Sequence, residues 1–460
     1  MKINKMIGCI LGLAGIVSVQ SAEAQFKIVG YSAYYDNSAP SATQYSQVTH
    51  VVYAFLAPNS NGSLQSVPDL SRMQSIVSSG HAAGVKVMIS CQTTAATWGA
   101  LAYNSGYVST FVNNMVNFCN QYNLDGVDID WEFPSPAPST SATDYANLMS
   151  KLGTALHNDG KLLTAAVASW GSEASGVTSS VFSSVDWLNI MDYDNTSGSG
   201  MSTLASVTEA YQYWEGQGLP ASKIVMGVPF YADPSEDNYS QLLSDGASAN
   251  SDTYDLNGTE QGYNGIPTIE AKTLLCQQQG LGGMMIWTLG GDATGNNSLL
   301  TFMYAASHPT QLPAGGTYIL YNANSGMALD DTGGSTTNGT IMQQWTPSNG
   351  DANQEWQINS WGNGYYGIKN IHSGLTLDDT SWSTTDGTFI QQWAQGNAQA
   401  NQEWAFIPDP DGTFQIVNLN SMMDLQIANY GTANGDQATQ WTWGNNTSQE
   451  WWVFLNGKDE

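Results

Sequence analysis

Basic residues are scarce in this chain. Eleven Lys and Arg stand against 39 Asp and Glu in 460 residues, and Arg72 is the only arginine. The formal net charge of −28 repels phosphate backbones and anionic lipid. Nucleic-acid and membrane-surface roles are therefore not expected, and neutral ligands are the easier partners. Cysteine is equally sparse. Cys9 lies in an N-terminal apolar run, and the remaining Cys91, Cys119 and Cys276 allow at most one disulfide at spacings that match no zinc pattern. Stability has to come from packing. Past the N-terminus no stretch approaches the length of apolar chain that a transmembrane helix needs. Charged residues make up only 11% and apolar residues 41%, so the chain can bury a core and is not a disordered polyelectrolyte.

What the chain does have is length, aromatics and repetition. At 460 residues it is too long for one compact core, which points to more than one domain. Residues 1–24 read as a secretory signal: Lys2 and Lys5, an apolar run from Met6 to Val19, then Ala22-Glu23-Ala24 as a cleavage site. An extracellular protein is expected. Residues 25–306 carry eight short apolar runs between helical-looking segments. The runs are rich in Val and Ile and mostly continuous, as strands buried on both faces should be. Eight of them predict an α/β domain, a (β/α)₈ TIM barrel. A doubly wound sheet is the rival, but no Gly-rich phosphate loop follows any run.

Residues 307–316, with two Pro and two Gly, read as a linker. Residues 317–460 then change character. Trp345, Trp393 and Trp441 recur at 48-residue spacing, and Trp356, Trp404 and Trp451 follow at 48 and 47. A unit this short cannot bury its own apolar face, so three should close around a shared centre. Turn-rich composition makes the unit β-structured. The 16 Trp and 22 Tyr gain meaning here, because flat aromatic faces stack on sugar rings as well as filling cores.

The strongest chemical signal is LDGVDIDWEFP at residues 124–134. Alternation places Asp128, Asp130 and Glu132 on one face and Val127, Ile129 and Trp131 on the other. Neighbours on one edge stand roughly 6.5–7 Å apart at Cα, so desolvation and mutual repulsion both favour protonating at least one carboxyl. A carboxylic acid that keeps its proton near neutral pH is what a general acid requires. A calcium loop would need Gly and polar spacers where Val, Ile and Trp stand. Three groups on one strand approach a substrate mainly from one side. Either a distant carboxylate such as Asp194 supplies the second role of a glycosidase pair, or the substrate supplies its own nucleophile.

DGVDIDWE resembles the DGxDxDxE signature of family-18 glycoside hydrolases, in the form of the chitinase branch. MDYD at 191–194, GVPFYA at 227–232 and IWTLGGD at 286–292 resemble the family's sixth-, seventh- and eighth-strand motifs. The resemblance implies a retaining, substrate-assisted mechanism in which Glu132 protonates the glycosidic oxygen and the sugar's own acetamide attacks. Asp130 and Tyr193 would hold that acetamide, and Asp128 would tune Asp130. Trp287 would floor the sugar, with Tyr31, Phe55, Ser90, Met191, Asp194 and Tyr231 lining or supporting the cavity. One departure stands out: the family's third strand ends S-x-G-G, whereas here Ser90-Cys91-Gln92-Thr93 occurs. The short segment between Tyr231 and Leu281 lacks the extra domain of many processive members, which implies endo-type, non-processive cutting of chitin or N-acetylglucosamine oligosaccharides. An endo-β-N-acetylglucosaminidase acting on N-glycans and an inactive secreted lectin are the alternatives.

The three-fold segment resembles the ricin-type β-trefoil lectin family, with Q-x-W at 354–356, 402–404 and 449–451. The resemblance assigns Trp356, Trp404 and Trp451 to the core. It assigns sugar sites to Asp330, Gln343, Trp345 and Asn353 in the first repeat, and to Asp378, Gln391, Trp393 and Asn401 in the second. In the third repeat Gln426, Thr439 and Ser448 replace the polar set, so a weak or lost site is expected. A second glycan or polysaccharide is the partner this domain implies. No metal and no cofactor are expected, and a monomer is.

Overall fold

The computed structural model describes residues 26–135, 142–310, 312, 315–362, 364–396, 399–409 and 411–455. The secretory segment lies outside the described residues.

Eight parallel strands close a barrel: β1 (Lys27–Ala33), β2 (His50–Leu56), β3 (Lys86–Gln92), β4 (Gly126–Asp130), β5 (Leu162–Ala168), β6 (Trp187–Met191) and β7 (Ile224–Pro229) follow one another. After the antiparallel hairpin β8 (Thr253–Leu256) and β9 (Thr259–Gly262), β10 (Gly283–Trp287) pairs with both β7 and β1. The strands form because their β-branched runs are buried on both faces, and the helices between them bury one stripe each. In the helix Ser105–Tyr122, Val108, Phe111, Val112, Met115 and Cys119 make that stripe. Asn104 caps its start through Gly106 and Tyr107, and Asn123 ends it in the left-handed region. Cys91, Cys119 and Cys276 are buried and unpaired, and burial pushes each thiol up.

The acidic strand is organised from its outer face. Trp131 stacks on Trp98 at 5.7 Å with an 11° interplanar angle and meets Tyr145 edge-on at 5.6 Å. The Trp98 indole also donates to the Asp130 carbonyl at 3.2 Å. This aromatic layer fixes which face of β4 looks outward, so the alternate residues look into the barrel. The strand itself ends at Asp130, which leaves Glu132 two residues beyond it, at the C-terminal mouth.

The helix Leu299–Ser307 ends the barrel domain, and its last residue falls inside the segment read as linker. The following chain lies against the second domain: Thr310 donates its N–H to the Phe406 carbonyl at 3.0 Å, and Leu312 to the Tyr366 hydroxyl at 2.9 Å. Strands from Gly316–Asn322 to Glu450–Leu455 then form a three-fold β-trefoil. Trp356, Trp404 and Trp451 are fully buried, and their indoles donate to the carbonyls of Leu329, Leu377 and Leu425 at 3.0, 3.1 and 2.8 Å. Gln344, Gln392 and Gln440 tie the repeats together by donating to the carbonyls of Gly431, Ser335 and Ser383.

The two domains share an apolar seam. Leu274 and Ala306 of the barrel pack with Tyr365, Ala405, Ile407, Val417 and Leu419 of the trefoil. At its edge Gln415 donates to Glu270 at 3.1 Å across the seam. Burial first, and then Asp424 and Asp409, push the Glu270 carboxyl well up.

Candidate active site and sugar-binding sites

Asp128, Asp130 and Glu132 form a gradient of burial along one line. Asp128 is fully buried and accepts four hydrogen bonds: Tyr31 at 2.9 Å and Ser90 at 2.7 Å on Oδ2, Thr164 at 2.6 Å and Asn189 at 3.2 Å on Oδ1. Burial raises its pKa and the four donors pull it back. A carboxylate has about four acceptor positions, so this one is saturated. Asp130 is the opposite case. It is also buried, yet its Oδ1 has no partner. Burial, then the charges of Glu132 and Asp128, push its carboxyl well up, with Gln92 acting the other way. Glu132 opens into the cleft, and Gln92 Nε2 donates to its Oε1 at 3.1 Å. Desolvation raises it first, Gln92 lowers it, and Asp194 and Glu173 raise it further.

The rest of the cleft follows from strand ends. Trp287, the last residue of β10, is half-buried, with Phe55 stacked on it at 5.5 Å and Tyr31 tilted against it at 5.5 Å. Met191 ends β6. The loop beyond it is held by buried Asp192, which accepts from Ser206 and from Asn195, both at 2.8 Å. That loop delivers Tyr193 and Asp194. Burial first, then the Asp130 and Glu132 charges beside it, push the Tyr193 phenol well up. Asp194 is held in the left-handed region at φ 56° and accepts from the Tyr231 hydroxyl at 2.7 Å. Two depressions meet at Asp194. One, of about 300 Å³, holds Glu132, Trp170, Glu173, Met191 and Tyr193. The other, of about 460 Å³, holds Tyr35, Tyr231, Asp233, Glu236 and Trp287.

All eleven barrel residues singled out from the sequence converge on this end of the barrel. Ser90 touches Asp128 rather than the cavity. Sequence reasoning missed Thr164 and Asn189, which clamp Asp128, and Gln92, which bonds Glu132. Their signal was register: Thr164 and Ser90 sit directly opposite Asp128, and Gln92 opposite Asp130. It also missed the outer wall of Trp170, Glu173 and Tyr35, which the turn after β1 and the short helix Gly171–Ala174 with its cap supply.

In the trefoil, Asp330 accepts from Gln343 at 2.8 Å and from Gln354 at 3.3 Å, with Trp345 exposed beside it. Asp378 accepts from Gln391 at 2.8 Å on one oxygen, and from Asn401 and Gln402, both at 2.9 Å, on the other. In both sites burial raises the carboxyl and the amide donors lower it. In the third repeat Gln426 donates to Thr439 at 3.3 Å and Trp441 stays exposed.

A closed parallel barrel with an acidic DxDxE edge at its C-terminal mouth defines a TIM-barrel glycoside hydrolase. Comparison with known proteins agrees: the description "Glycosyl hydrolases family 18" matches residues 27–292, more than half of the chain, and the chain belongs to that family. Residues 305–393 and 400–460 match "Ricin-type beta-trefoil lectin domain-like". Chitinase A1 of Niallia circulans is 28% identical over 283 residues, covering 45% of this chain and 39% of that protein. A class V chitinase of Arabidopsis thaliana is 28% identical over 264 residues, covering 50% and 68%. The crystal structure of the GH18 chitinase ChiB from Flavobacterium johnsoniae aligns at a TM-score of 0.53 with 25% identity, over 62% of this chain and 94% of that one. The chain thus spans about two-fifths of the Niallia protein's length and about two-thirds of the Arabidopsis protein's.

Proposed function

We propose that this protein is a secreted chitinase that hydrolyses β-1,4 links between N-acetylglucosamine units with retention of configuration, using the substrate's acetamide as nucleophile. The observation that carries the reading is Asp130 Oδ1, a buried acceptor with no partner beside Glu132. A buried acceptor left empty is costly until something donates to it. An acetamide N–H is a donor of the right kind. Once held there, the acetamide's carbonyl oxygen can attack its own anomeric carbon. Glu132 gives its proton to the departing oxygen as the C–O bond breaks, and a cyclic oxazolinium forms. Water then adds at the anomeric carbon, Glu132 takes the proton back, and the ring reopens to the acetamide.

Asp128 acts through Asp130. Its four donors favour the ionised form against burial, and negative charge there favours a proton on Asp130 until the cationic oxazolinium develops. Trp287 gives the sugar an apolar floor, and Tyr193 stands where it can donate to the acetamide. The two depressions that meet at Asp194 extend the cleft beyond Glu132, which fits cutting within a chain, and between β7 and β10 the chain adds a short hairpin of β8 and β9 rather than a further domain. Non-processive endo action is the cutting mode this favours. The trefoil supplies a second carbohydrate contact and raises retention on an insoluble polymer through effective concentration.

The product profile from chitin hexamer tests reaction, bond and cutting mode together. Internal fragments with β-anomeric reducing ends are expected. Cleavage of an N-glycan core in preference to the hexamer would move the protein to the endo-β-N-acetylglucosaminidases, and no cleavage of either would leave a lectin.

A further inference from the structure

The three trefoil repeats are not equivalent, and the difference lies at a position outside the sugar sites assigned above. Each repeat turns through two consecutive left-handed residues: Gly333-Gly334, Ser381-Trp382 and Asn429-Tyr430. The first repeat meets this backbone with glycine, which adopts it freely. The second places a tryptophan there, φ 58°, with half of its surface exposed. A bulky side chain in that region is disfavoured, and Trp382 is not part of the trefoil core that would compensate it.

Direction matters as much as exposure. A Cβ on Gly334 would stand 3.3 Å from Asn353 Oδ1, the site asparagine of its repeat. By the 48-residue repeat, Trp382 leaves the backbone beside Asn401. A depression of about 320 Å³ in the second repeat is lined by both Trp382 and Trp393, together with Asp378, Gln391 and Asn401. Asn401 is 3% exposed. Its Nδ2 donates to Asp378 Oδ2 at 2.9 Å and to the Asp379 carbonyl at 3.2 Å, while its Oδ1 has no partner.

We propose that the second repeat is the anchor site of the trefoil, and that Trp382 is a specificity residue in it, forming a second aromatic wall in addition to Trp393. The ligand is a neutral pyranose that presents two neighbouring hydroxyls as donors. The polar atoms set the chemistry. Asp378 has three of its roughly four acceptor positions filled, and Asn401 has both amide hydrogens spent and its oxygen free. The slot therefore offers acceptors and asks for hydroxyl donors. A uronic acid would bring a carboxylate to a carboxylate and is disfavoured. The first repeat keeps Trp345 but has Gly334 where the second has Trp382, and it binds more weakly.

This proposal rests on reading the trefoil as a carbohydrate-binding module, and the test separates the two. The full chain is titrated with methyl β-galactoside, methyl β-xyloside and galacturonic acid, read by tryptophan fluorescence and calorimetry. The expected result is binding of at least one neutral glycoside and none of the acid. Trp382→Gly, which installs the residue the first repeat uses, is expected to weaken that binding at least tenfold with the melting temperature unchanged or raised. Trp345→Ala is expected to weaken it less than threefold. Binding insensitive to Trp382→Gly, or more sensitive to Trp345→Ala, overturns the anchor assignment alone. No binding of any glycoside by the parent protein overturns the module reading with it.

Discussion

The barrel mouth and the trefoil sites both hold buried aspartates, and they treat them differently. Asp378 in the trefoil is clamped by three amide donors. Asp128 in the barrel is clamped by four donors and resembles it. Asp130 is not clamped: it has carboxylates before and after it and an oxygen with no partner. A binding site can be finished before its ligand arrives, because its task is to present fixed acceptors. A reacting site keeps one group unfinished, so that the substrate completes it and charge can move there.

The largest expected effect breaks one side of this comparison only. Glu132→Gln removes the acid while keeping its shape, and general acid catalysis is typically worth about 10²–10⁴-fold. Turnover of chitin oligomers should fall by at least that much, with an unchanged melting curve and unchanged trefoil binding. Near-normal turnover would remove the mechanism. An intermediate effect comes from the other side. Trp404→Ala leaves a cavity in the trefoil centre and should cost roughly 3–5 kcal/mol there. Calorimetry should then show a separate early transition, while short soluble oligomers are still cleaved before it. A single unchanged transition would mean that the buried indole is not central to the trefoil.

The smallest effect sharpens the contrast at Glu132. Gln92 donates to its ionised form and so lowers its pKa. The acid must be protonated to work, so activity is lost as pH rises through that pKa. Gln92→Ala should raise it and move the alkaline limb of kcat/KM upward, with kcat at neutral pH changing less than about threefold. A limb that stays in place or moves down would show that Gln92 does not donate to the ionised acid.

Much of the site was legible because strand alternation is a local rule. Once Val127, Ile129 and Trp131 are recognised as the packed face, Asp128, Asp130 and Glu132 must share the other. The 48-residue spacing likewise exposed both the core and the rim tryptophans of the trefoil. Gln92 and Thr164 were hidden because their relevance depends on which residues stand across from β4, and Asn189 because it reaches Asp128 from β6 across the barrel; neither parallel register nor barrel closure is written in any one strand. Trp382 was hidden because its meaning comes from backbone conformation: only the left-handed turn shared with Gly334 shows that its side chain starts beside a sugar site.

The amino-acid order alone determined the two domains, the acidic edge and the repeat, since periodicity and motif spacing are properties of the chain taken a few residues at a time. The tertiary structure decided which carboxyl is saturated and which is left open, which segments wall the cleft, and that Trp382 lines the second repeat's sugar site together with Trp393. Those depend on distances between residues far apart in sequence. Hydrogen-bond satisfaction and desolvation, which set the chemistry of a buried carboxyl, are counted in space and not along the chain.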